Sequence, residues 1–109
     1  METGTKLFGS QAKTEVLLAV ALLKETYARE LARALQLPLL TVQRVLNALT
    51  KEGVVVSRLV GSNRIFTLNR RMYAISELEA FLIKYARRTD LDERLGQLRR
   101  RPRRAKKAI

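Results

Sequence analysis

The chain has 109 residues, a length that fits one domain with a core of its own. It contains neither cysteine nor histidine, which excludes disulfides, thiolate metal sites and imidazole chemistry together. Its formal net charge of +12, from 22 basic and 10 acidic residues, favours polyanionic partners, nucleic acid before anionic lipid.

No internal repeat is present. Residues 1–9, with Gly4 and Gly9, read as a flexible arm. A first helix is expected over 10–23, its core face carrying Val16, Leu17, Val20 and Leu23, with Leu18 and Leu22 in an adjacent stripe. Apolar residues surround it almost completely, so protein should cover both of its sides. The run Val16–Leu23 is too short to span a bilayer, and Glu15 and Lys24 close it in. With no cleavage signal behind it, a buried helix in a cytoplasmic protein without membrane contact is expected.

Thr26 reads as the N-cap of a short second helix over 27–35, where Tyr27, Leu31, Ala34 and Leu35 recur at helical spacing. Pro38 ends one helix and starts the next, because proline lacks an amide donor and fits a first helical turn. The third helix, 39–51, stops before Gly53. Val42, Val45, Leu46 and Leu49 share one arc, and Leu40, Gln43, Arg44, Asn47 and Lys51 lie opposite. Leu40 is the misfit of that set, an aliphatic group pointing to water.

Two β-rich runs follow, 54–60 and 64–68, joined by Gly61-Ser62-Asn63 as a hairpin tip. A fourth helix is expected over 73–87, with Ile75, Leu78, Leu82 and Tyr85 forming a seam and Phe81 beside it. That seam suits either the intramolecular core or a subunit contact. A terminal helix has little left to pack on in so small a domain, so a homodimer interface of Ile75, Leu78, Phe81, Leu82 and Tyr85 is the expectation. The aromatics Tyr27, Phe66 and Tyr73 are scattered and read as core.

Asp90 and Glu93 resemble a capping box for a short helix over 89–98 carrying Leu91, Leu95 and Leu98, weakened by Gly96. From residue 99 the chain reads as a disordered basic tail. Arg99, Arg100, Arg101, Arg103, Arg104, Lys106 and Lys107 are accompanied by no acid, and without these seven the first 98 residues still carry +5.

The order of elements describes a mainly α fold with a small β-hairpin: a three-helix core, the hairpin, and a C-terminal helix. It suits DNA recognition, because the polar face of the third helix can enter a major groove while the hairpin reaches the neighbouring backbone. The stretch YARELARALQLPLLTVQRVLNALTKEGVVVSRLVGSNRIFTLN, residues 27–69, within 7–85 as a whole, resembles the winged helix-turn-helix regulators of the ArsR and MarR type. The resemblance implies that Thr41, Gln43, Arg44 and Asn47 face bases or nearby phosphates, and that Arg58, Asn63 and Arg64 serve the wing. It also implies a dimer using its terminal helices. Lys51 and the tail would meet phosphates.

Two departures stand out. Gln36 occupies a turn position that often holds glycine, so a left-handed residue costing about 1–2 kcal/mol, or a wider turn, is expected there. The cysteine and histidine ligands through which ArsR relatives sense metals are missing.

The composite expectation is a non-enzymatic, cofactor-free, metal-free, homodimeric transcriptional regulator, more often a repressor, bound to double-stranded DNA in the cytoplasm at the nucleoid. The Asp90, Asp92 and Glu93 cluster sits at a helix start, where the helix dipole accounts for acids. Two alternatives stay open: an architectural, plasmid- or phage-type DNA-maintenance protein with weak sequence preference, and a protein-interaction module of the same fold that docks through Leu40. RNA also stays open as the tail's target, since phosphate attraction is indifferent to the sugar.

Overall fold

The computed structural model describes residues 6–100. Among these, five helices and one antiparallel hairpin follow in the order α1 (Gln11–Leu23), α2 (Ala28–Leu35), α3 (Leu39–Lys51), β1 (Val55–Val60), β2 (Asn63–Leu68), α4 (Ile75–Ala86) and α5 (Leu91–Arg100). No helix among the described residues is long and apolar enough to cross a membrane.

The apolar circumference of α1 sets the architecture. Every residue from Thr14 to Ala21 is buried, because α2 and α3, β2, α4 and α5 all pack around it. Ser10 caps the helix, its Oγ accepting from the Lys13 amide at 3.1 Å. The segment before it is not a loose arm as far as Gly9. The Gly9 amide donates to the Lys6 carbonyl at 2.9 Å, the Phe8 amide donates to Thr14 Oγ1 at 3.0 Å, and Phe8 packs against the core.

Thr26 is not the N-cap of α2; that position belongs to Tyr27. Thr26 instead pairs with Phe66 as an isolated antiparallel bridge, through backbone hydrogen bonds of 3.1 and 2.7 Å. The bridge adds a one-residue third strand beside β2 and ties the α1–α2 connection to the hairpin.

The α2–α3 turn takes the strained form. Gln36 is left-handed (φ 56, ψ 47), and the Leu37 amide closes on the Ala32 carbonyl at 3.1 Å. A side chain at such a φ crowds its own backbone, and glycine escapes that penalty at the expense of extra unfolded-state freedom. Gln36→Gly is therefore expected to stabilise the fold by about 0.5–1 kcal/mol, read as a higher urea midpoint at unchanged m-value. The end of α3 meets the same demand with glycine: Gly53 has φ 81, and the Val54 amide donates to the Leu49 carbonyl at 3.1 Å.

The hairpin tip is shorter than the tripeptide expected. Val60 pairs with Asn63, leaving Gly61 (φ 65) and Ser62 as a two-residue loop. That register fixes which side chains share a face. Arg64 pairs with Leu59 and Phe66 with Ser57, so these four lie together, whereas Arg58, opposite Ile65, lies on the other face.

The seam on α4 is core. Ile75 and Leu82 are buried, and Leu78 and Tyr85 are half-buried against the same cluster, because α4 supplies the second side that α1 requires. The seam is thus consumed within one chain. Phe81 points away from it, 47% exposed, and stacks on Tyr85 with ring centroids 5.9 Å apart. Of the aromatics expected in the core only Phe66 is there; Tyr73 is 93% exposed and Tyr27 36%.

Glu79 of α4 ties two elements together, accepting from Lys24 and Arg70 at 3.0 Å each. Burial alone would raise its carboxyl, but the hydrogen bonds from Lys24 and Arg70 together with their positive charges outweigh that and hold it below the ordinary carboxylate range.

Helix α5 belongs to the same core through Leu91 and Leu95, both buried. Asp90 stands just before the helix, its carbonyl accepting from the Arg94 amide at 3.0 Å, while its carboxylate lies 3.8 Å from Arg94 and Thr89 Oγ1 accepts from the Leu91 amide at 3.1 Å. The helix takes in the first two residues of the expected tail, Arg99 and Arg100. Arg99 is its anchor: the guanidinium meets the Glu30 carboxylate at 2.6 and 2.8 Å and donates to the Glu25 carbonyl at 2.8 Å.

Candidate nucleic-acid interface

The exposed face of α3 is built by default. Val42, Leu46 and Leu49 are buried against the core, and at about 100° per residue Leu40, Gln43, Arg44, Asn47 and Lys51 must then point away from it within roughly 100° of arc. All five are exposed. The helix start adds positive potential, since Pro38 offers no side-chain cap and the first turn holds no acid.

Beside this face the hairpin tip and the start of α2 complete an open cleft of about 460 Å³. From α3 it is lined by Leu40, Gln43, Arg44 and Asn47, from the hairpin by Ser62, Asn63 and Arg64, and from α2 by Arg29. Five of the residues expected from sequence are thereby brought together: Gln43, Arg44, Asn47, Asn63 and Arg64.

The charge distribution is the informative part. Among the described residues no acid lines the cleft. Seven ion pairs within 4.0 Å are found among the described residues, and none of them includes Arg29, Arg44, Arg64 or Lys51. Arg64 is instead steadied by Ser57 Oγ, to which it donates at 3.1 Å. Six of the described acids, Glu25, Glu30, Glu52, Glu79, Asp90 and Asp92, neutralise other cations outside the cleft. One face therefore keeps uncompensated guanidinium groups interleaved with amide side chains, an arrangement able to bind an anionic polymer and to hydrogen-bond the base edges it carries.

The remaining expected residues fall elsewhere. Lys51 is exposed one turn beyond Asn47 on the same face, outside the cleft. Thr41 is half-buried on the flank of α3, also outside the cleft. Arg58 is separated from Arg64 by the thickness of the sheet and pairs with Glu25 at 3.1 Å, so it does not join the set. Arg99 is engaged by Glu30 and is not a free tail cation. The side chains of Leu98 and Arg100 lie outside the described set, as do Arg101, Arg103, Arg104, Lys106 and Lys107 altogether.

Two contributors were missed. Arg29 and Tyr27 line the cleft from the start of α2. The signal for Arg29 was its place in the first turn of the helix preceding α3, where an outward-facing cation shares a surface with α3 once the two helices pack.

No family profile matches the chain, and no curated protein or solved structure matches it significantly.

Proposed function

We propose that the chain is a winged helix-turn-helix DNA-binding protein: a non-enzymatic, homodimeric, cytoplasmic transcriptional regulator acting as a repressor by covering a promoter. The observation that carries this reading is the cleft, lined by no described acid, in which Arg29, Arg44 and Arg64, none of them ion-paired with a described residue, flank Gln43, Asn47 and Asn63. Arginine pairs bidentately with guanine and Asn or Gln with adenine, so these residues are equipped to read sequence as well as charge. Element order supports the same reading. The exposed rod α3 follows a tight turn from α2, and the β1–β2 ribbon flanks it as a wing.

A two-fold dimer would use the outer side of α4, where Phe81 is left exposed on the half-buried Tyr85 once the seam is spent on the core. Its half-sites would then lie one helical turn apart, about 34 Å, or a multiple of that. The test is selection of bound sequences from a random duplex library with the full chain. A palindromic consensus supports regulation. Retention of duplex without enrichment supports the second reading, a DNA-coating protein, which the charge of the segment beyond Arg100 favours. No retention of duplex at all rejects both.

A further inference from the structure

We propose that Leu40 is a specificity-determining residue, reading the C5-methyl group of a thymine in the major groove; this rests on the DNA-binding reading above. Leu40 is 57% exposed although it belongs to a helix whose core face is complete without it. It is no stray surface leucine. It lies in the first turn of α3, close in angle to Gln43, Arg44 and Asn47, and lines the same cleft as they do.

The exposed side chains beside it on α3 are polar or cationic, and Tyr27 and Ala28 border the cleft from the start of α2, so a partner that fits offers an apolar group within a polar, anionic surface. The thymine methyl is the one apolar group that base pairs display in the major groove, and it lies beside the hydrogen-bonding edges that Gln43, Arg44 and Asn47 can read. Uracil lacks that methyl, and the deep, narrow major groove of an RNA duplex excludes side chains. Leu40 therefore also inclines this face towards DNA.

The experiment takes the sequence recovered from the duplex library and replaces each thymine in turn by deoxyuridine, which removes the methyl and leaves every hydrogen-bonding group. Affinities are measured by fluorescence anisotropy for the full chain and for Leu40→Ala, with helix content checked by circular dichroism. The wild type is expected to lose about fourfold in Kd at one thymine per half-site, the worth of one buried methyl. Leu40→Ala is expected to bind the thymine and deoxyuridine duplexes equally at that position. The inference is overturned by a duplex that binds well with no methyl-sensitive thymine, or by equal sensitivity in both proteins. Failure to retain any duplex overturns the DNA-binding reading itself, so the two failures are distinguishable.

Discussion

Replacing Arg44 by alanine is expected to cost about 1–3 kcal/mol of affinity for the selected duplex, roughly 5- to 150-fold in Kd, and to relax preference at the base pair it reads. The free protein should hardly notice. Arg44 is exposed and forms no ion pair with a described residue, and alanine is a good helix former. The loss would therefore be one of recognition and not of folding. Truncation after Arg100 should behave oppositely. It removes five cations and no acid, and each cation that neutralises a phosphate contributes about −0.9 to the slope of log K against log salt. The slope should flatten by up to about 4.5 while the consensus survives. Arg58→Ala is the internal control, because Arg58 faces away from the cleft and is paired with Glu25; its effect should be small. Anisotropy titrations at several salt concentrations separate the three. Equal losses on cognate and scrambled duplex for Arg44→Ala would remove α3 from the role of reading helix.

What could be read from sequence was whatever local rules decide. Helix α3, Leu39–Lys51, lies between Pro38 and Gly53, and its bounds follow from those two residues and from one apolar arc. At Gln36 the sequence, offering no glycine, left a strained left-handed residue or a wider turn, and the structure takes the former. Assignments that depended on a count of one residue, or on a partner far along the chain, were not legible. A three-residue tip would have paired Val60 with Arg64 and put Arg58 on the same face as Arg64. The actual two-residue tip pairs Val60 with Asn63 and sends the two arginines to opposite faces. Arg99 read as part of a charge run, but Leu91, Leu95 and Arg99 recur every fourth residue, so the third follows the first two towards α1 and α2, where Glu30 waits. The charge run concealed a helix periodicity.

Leu82→Ala is expected to destabilise the protein by about 3–5 kcal/mol, a large share of the 5–15 kcal/mol that holds a domain of this kind together. Leu82 is fully buried on α4, and the cavity left beside α1 can collapse little, because the Val16–Ala21 stretch of α1 is already closed in on every side. The alternative role for the seam, as the contact between two subunits, predicts a different response: weaker association of protomers whose individual stability is intact. Denaturant unfolding at several protein concentrations, with sedimentation of the folded species, tells these apart. The same loss of stability at every concentration assigns Leu82 to the core. Phe81→Ser is the complement. Phe81 is half-exposed and its ring touches Tyr85, so its removal should change protomer stability by no more than about 1 kcal/mol while shifting any dimer towards monomer. Should Leu82→Ala leave stability untouched and dissociate a dimer instead, the packing of α4 on α1 would not be the one that holds this fold, and α1 would need another cover for its second side.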